Sequence, residues 1–251
     1  MTQFYDFLAP VLTVGSAAAL FLLVVFLLIG PTRKFWVLLL YAGWEVFVSI
    51  GLTLADIRLH GSAQLARFPD ASRLYARLYW TNEIIDDLLR FVLVTVLISQ
   101  VAGSPKPLLK RVLTGLVLAM MVLPFLLFQP VFPAKPSPTL YPPWYPTGAW
   151  FNSTSQLLNF GAAIMNLFLW GALIQARKRD PQILAVSIGL GIMVTGAAIS
   201  YGLRHFMPQG GYTAAFNLFL NLTQLAGCLI WCRAFWPVPG RRASVAAVPL
   251  Q

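Results

Sequence analysis

The sequence predicts an all-α polytopic transmembrane bundle of seven helices, with six crossings as the alternative. Two features of composition and one of pattern predict it. Hydrophobic residues make up 58% of the 251 residues and charged residues only 10%, against about 25% charged in a soluble domain. A water-soluble fold has no means of covering so much apolar surface. Seven stretches approach or exceed the ~20 residues needed to cross ~30 Å of hydrocarbon, at about 7–29, 35–55, 78–102, 109–129, 150–175, 181–203 and 212–235.

The first stretch follows an N-terminus that carries Asp6 and no Lys or Arg. That segment lacks the cationic start of a secretory signal, so the run is expected to stay as a helix. The second places Tyr41, Glu45, Ser49 and Asp56 on one face by steps of three and four. The third begins with Tyr79-Trp80, a pair suited to the membrane interface, and gathers Glu83, Asp86, Asp87 and Arg90 within two turns. Upstream, Pro69-Asp70 can start and cap a helix that runs on into this span and lifts Arg73 and Arg77 above the membrane.

The fourth stretch, Leu108 to Phe128, offers beyond Lys110 and Arg111 at its start only Thr114 as a polar residue and is expected to face lipid. Between it and the fifth, residues 130–146 hold seven prolines interleaved with Phe132, Tyr141, Trp144 and Tyr145. Such a segment is extended, either a strap at the interface or a lid. The fifth span sets Asn152, Asn159 and Asn166 seven apart. The sixth carries Ser187, Gly191, Thr195, Ala198 and Gly202 on one side, small residues that let helices approach closely. The seventh has Thr213, Asn217, Asn221, Gln224 and Cys228 on a stripe. Asn and Gln stripes first suggest interhelical hydrogen bonding and second a solute pathway. From Pro237 onward the chain loses apolar periodicity, and a disordered tail over 237–251 is expected after the membrane domain of 1–236.

Lys and Arg set the orientation. With the N-terminus outside and the C-terminus in the cytoplasm, the cytoplasmic segments hold eleven basic residues, including Arg33, Lys34, Lys106, Lys110, Arg111 and the 177–179 run. The outer segments hold six, so this orientation is favoured. The net charge of +10 is distributed between apolar runs instead of forming one basic stripe, which argues against nucleic acid as a partner. The expected partners are the lipid bilayer and a cytoplasmic protein meeting the basic loops.

Chemical signatures are few. Cys228 and Cys232 are the only cysteines, too few for a disulfide framework or a thiolate zinc cage, and they read as buried inert thiols. No metal site, catalytic set or cofactor motif is expected. A retinal protein needs a Lys in its last span, and 212–235 contains none; seven-helix zinc hydrolases use three histidines, and only His60 and His205 occur. Asn82-Glu83-Ile84-Ile85-Asp86 resembles the opening of the acidic motif of intramembrane prenyltransferases, but a second acidic motif is absent. Asp86-Asp87 with Arg90, and Tyr201 with His205, resemble parts of intramembrane proteases that cut prenylated proteins, with one spacing short by a residue and a histidine missing. The Tyr79-Trp80-x-x-Glu83 start of the third span resembles uncharacterised bacterial seven-helix inner-membrane proteins. That likeness implies a location in the inner membrane and brings no activity with it.

These residues suggest a non-enzymatic sensor or accessory interaction module with an outward-facing polar pocket around Glu83, Asp86, Asp87, Arg90 and Glu45. Asn152, Asn159, Asn166, Asn217, Asn221 and Gln224 would form its polar interior. A small-solute or ion transporter is the alternative, and an intramembrane enzyme comes third. Glu45 and Arg90 are both about 15 Å deep by helical rise, which suggests an ion pair, with Asp86 as the competing partner for Arg90.

Overall fold

In a computed structural model the protein is described over residues 2–30, 34–61, 69–101, 107–127, 148–175, 180–206 and 212–237. Seven helices occupy them: α1 (Thr2–Ile29), α2 (Trp36–Gly61), α3 (Pro69–Val101), α4 (Pro107–Leu127), α5 (Gly148–Gln175), α6 (Pro181–Phe206) and α7 (Tyr212–Phe235). No strand occurs among the described residues. The proline-rich segment 130–146, the tail beyond 237, and the basic residues Arg33, Lys106, 177–179 and 241–242 lie outside them, as do the side chains of His60 and His205.

Helix starts follow local chemistry. Three helices begin on proline at Pro69, Pro107 and Pro181, where the missing N–H has no intrahelical partner to lose. Asp180 caps α6, accepting hydrogen bonds from the backbone N–H groups of Gln182 at 2.8 Å and Ile183 at 3.4 Å. It also pairs with Lys34, which precedes α2. Partial burial pushes the Asp180 carboxyl up, but the Lys34 ammonium and the two N–H groups outweigh that and hold it below the usual Asp value. Gln100 near the end of α3 donates to the Lys34 carbonyl at 2.7 Å, so one ion pair and one amide tie α2, α3 and α6 together at this end.

Five helices contain a window long and apolar enough to cross a membrane: α1 over Pro10–Ile29, α2 over Trp36–Leu54, α5 over Trp150–Ile174, α6 over Pro181–Leu203 and α7 over Ala214–Phe235. The chain is a multi-pass helical membrane protein on that ground. The apolar part of α4, Arg111–Leu127, is shorter. α3 fails on composition, since its charges fall inside the helix, yet its 33 residues make it the longest.

Six helices close a ring in the order α1, α2, α3, α5, α6, α7, with α7 returning to α1. α4 stands outside this ring, against α3 and α5. Its outer side exposes Val112, Leu118, Val122, Phe125 and Leu126, as a helix apolar all round should when it faces lipid. α6 is packed on two sides. Toward α5, a Cβ at Gly191 would meet the Asn166 amide at 2.5 Å; toward α7, one at Gly189 would meet the Gly227 carbonyl at 2.9 Å. Both close approaches require the absence of a side chain.

The core is concentrated toward the end of the bundle where α1 finishes. Leu23 and Leu27 of α1, Leu38 of α2, Val94 and Leu97 of α3, and Trp231 of α7 are fully buried there. Phe35 packs edge-on against Phe235, with centroids 4.9 Å apart. At the opposite end Trp80 of α3 stacks on Phe151 of α5 at 5.8 Å.

Candidate functional site

The site is built outward from α3. At 3.6 residues per turn, Glu83, Asp86, Asp87 and Arg90 fall within about 100° of arc, and that arc points into the ring instead of toward lipid. Asp86, Asp87 and Arg90 are buried there. An unpaired charge at such depth costs on the order of 3 kcal/mol, so the partners decide whether the helix can lie in a membrane at all.

Each neighbour supplies one. Arg90 pairs with Asp86 one turn away on its own helix, contacts Asp87 Oδ1 at 3.4 Å, and donates from Nε to the Tyr41 hydroxyl of α2 at 3.3 Å. Asn159 of α5 donates to Asp87 Oδ1 at 2.7 Å. Tyr201 of α6 donates its hydroxyl to Glu83 Oε1. Trp44 of α2 donates its indole N–H to Asn82 Oδ1 at 3.0 Å, fixing the two helices higher up. α3 is therefore bound through its polar arc to α2, α5 and α6 at once.

On the remaining side, between α1, α2, α3 and α7, the arc borders a cavity of about 310 Å³. Its wall runs along α3 from Tyr79 to Arg90, about 16 Å at the helical rise. α1 contributes Thr13, Ser16 and Leu20; α2 contributes Glu45, Ser49 and Leu52; α7 contributes Asn217, Asn221 and Gln224. Arg90 forms the deep end; behind it the Tyr41 hydroxyl accepts from Arg90 Nε, and the Tyr41 ring rests edge-on against Trp231 at 5.7 Å. Beyond that lies the apolar core described above.

Three lining acceptors are buried without a hydrogen-bond partner: Ser16 Oγ, Glu45 Oε1 and Asp86 Oδ1. Glu45 is only 8% exposed. The expected ion pair of Glu45 with Arg90 does not form, because Asp86 takes the guanidinium. The physical reason is reach: Asp86 is one turn away on the same helix face, whereas Glu45 lies across the α2–α3 gap. Glu45 instead faces Asp86. Among the described residues lining the cavity, Arg90 is the single cation beside the carboxylates of Glu45, Glu83 and Asp86.

The amides anticipated as one polar interior separate into groups. Asn217, Asn221 and Gln224 line the cavity, and Asn159 serves the acidic cluster. Asn166 joins α5 to α6, donating to the Ser187 carbonyl at 3.2 Å and accepting from the Ser187 hydroxyl at 2.9 Å. Asn152 borders neither group, and its Oδ1 is buried without a partner. Tyr201 and the α1 pair Thr13 and Ser16 were not singled out as site residues by sequence reasoning. The two hydroxyls three apart in the otherwise apolar stretch Pro10–Ile29 were the available signal for α1. Cys228 and Cys232 are free and buried, and Cys232 donates to the Ala19 carbonyl at 3.0 Å, a packing role. Among the described residues no group of three His, Cys, Asp or Glu is placed to hold a metal ion. No family model, curated protein or solved structure matches the chain, so its function is read from this geometry alone.

Proposed function

We propose that the chain is a seven-span protein of a bacterial inner membrane, N-terminus outside, that acts as a sensor: a non-enzymatic binding module whose pocket receives a small polar ligand from the outer face. One observation carries the reading. The polar cavity is lined inward as far as Asp86 and Arg90, while the described residues toward the α1 C-terminus form a mostly apolar core. A polar pocket backed by an apolar core suits recognition better than conduction. Signal would pass to a cytoplasmic protein through the basic loops, with the Lys34–Asp180 tie among α2, α3 and α6 as the element that feels a change in packing.

A transporter is the second reading, favoured by Glu45, a buried mid-span carboxyl with an unpartnered oxygen, the kind of group that carries coupling protons or ions. The test is cysteine accessibility in a background with Cys228 and Cys232 changed to Ala. Cysteines at Ser49 and Asn221 should react with a small membrane-impermeant thiol reagent added from outside, and cysteines at Leu38 and Leu97 should not react from either side. Labelling at the Leu38 or Leu97 position from the cytoplasmic side would replace the pocket with a through-path and favour transport.

A further inference from the structure

We propose that the cavity selects a small organic ammonium ion, its cationic head held by Ser16, Glu45 and Asp86. The proposal rests on the reading of the cavity as a ligand pocket and names what the pocket takes. Charge is the first argument. Glu45, Glu83, Asp86 and Asp87 surround Arg90 in one buried cluster, so a single guanidinium faces four carboxyl groups. Arg90 is already engaged by Asp86, Asp87 and Tyr41, which leaves Glu45 without a cation of its own. A buried carboxylate demands a counter-charge or a proton; Glu45 lies within hydrogen-bonding reach of Asp86, where a shared proton meets the need in the empty pocket and an arriving cation replaces it.

The unpartnered atoms are the second argument, independent of charge. Glu45 Oε1 on α2 and Asp86 Oδ1 on α3 accept, Ser16 Oγ on α1 can accept as well as donate, and all three are buried on residues lining the same space. A primary ammonium carries three donors and no acceptor. Of these three, a ligand carboxylate or phosphate could accept only from the Ser16 hydroxyl and would meet the Glu45 and Asp86 oxygens with like charge.

Size decides between a bare metal ion and an organic cation. The cavity, at about 310 Å³, holds roughly ten waters at ~30 Å³ each, whereas a calcium-like ion needs six or more oxygens at about 2.4 Å. Among the described residues no such cage of acidic groups exists. The wall also carries Leu20, Leu52 and Leu220, apolar surface that a short alkyl body would cover and a hydrated metal ion would not.

The experiment is thermal unfolding of the purified full chain in detergent at constant ionic strength, with butylammonium, butanol, butyrate and sodium as probes. Butylammonium should raise the Tm in a saturable way, and the other three should not. Glu45→Gln should weaken the butylammonium response at least about tenfold, as loss of a charged hydrogen bond does. Asn221→Leu, which fills the cavity from α7 without touching the carboxyls, should also abolish it and serves if Glu45→Gln does not fold. A butylammonium response absent in the wild-type chain, or unchanged in these variants, overturns the proposal. Saturable binding of butyrate or butanol in its place would discard the ammonium ion and keep the pocket. Failure of the Ser49 and Asn221 cysteines to label would discard the pocket itself.

Discussion

Arg90 shows how a membrane helix tolerates a guanidinium: it brings an acid one turn away and borrows a phenol and a second acid around it. Removing one member of a buried pair leaves the other uncompensated, at a cost on the order of 3 kcal/mol. Arg90→Gln should therefore lower the Tm sharply, and Asp86→Asn in the same chain should restore much of the loss. Glu45→Gln in the Arg90→Gln background should come closer to additive, because Glu45 is not within ion-pairing distance of the guanidinium. A double-mutant cycle on thermal stability measures both couplings, and additivity for Asp86 with Arg90 would contradict the pairing. At this scale the sequence conveyed the acidic cluster but not its partners. Helical period fixes which residues share a face, whereas choosing between Asp86 and Glu45 requires the distance across the α2–α3 gap. Tyr201 illustrates the same limit, since a tyrosine near the end of a small-residue stripe carries no mark of the glutamate it will meet.

Helices were the most legible level. The apolar runs match α1 to α7 within a few residues, except where α1 and α3 start earlier and α2 ends later, and the Pro69-Asp70 start of α3 was readable because proline fits only a first turn or a break. Ring order was not readable, because a polar or small stripe says that a face is packed without saying against what. α6 makes the point: Gly191 and Ser187 approach α5 as the stripe implied, but Gly189 and Gly196, about 150° round the helix, approach α7. A Cβ at Gly189 would meet the Trp231 indole and the Gly227 carbonyl, neither of which can yield cheaply. Gly189→Ala should lower stability by about 1–3 kcal/mol, read as a fall in Tm. Gly43→Ala, where the added methyl meets nothing within 4 Å, should be neutral or stabilising.

For the molecule as a whole, the seven crossings we propose would put the two ends of the chain on opposite sides. A fluorescent protein that matures only in the cytoplasm should light up when fused after Gln251, and a cysteine at Lys135 should react with an impermeant thiol reagent from outside. A dark fusion with normal labelling would remove one crossing, and reversal of both results would invert the orientation. The overall class was legible because lipid imposes a composition that no soluble fold shares; the α1 wall of the cavity was not, because it arises from the closure of six helices into a ring. That cavity also makes the protein an uneven insulator. Where water fills the polar half, the membrane potential drops mainly across the Leu23, Leu38, Leu97 and Phe235 layer instead of across the full ~30 Å of hydrocarbon. A charge that comes as far as Arg90 and leaves by the same mouth thus traverses little of the field, and its binding should be almost indifferent to voltage. A charge driven through the layer would meet nearly all of it, about 2.3 kcal/mol per 100 mV, compressed into roughly half the thickness.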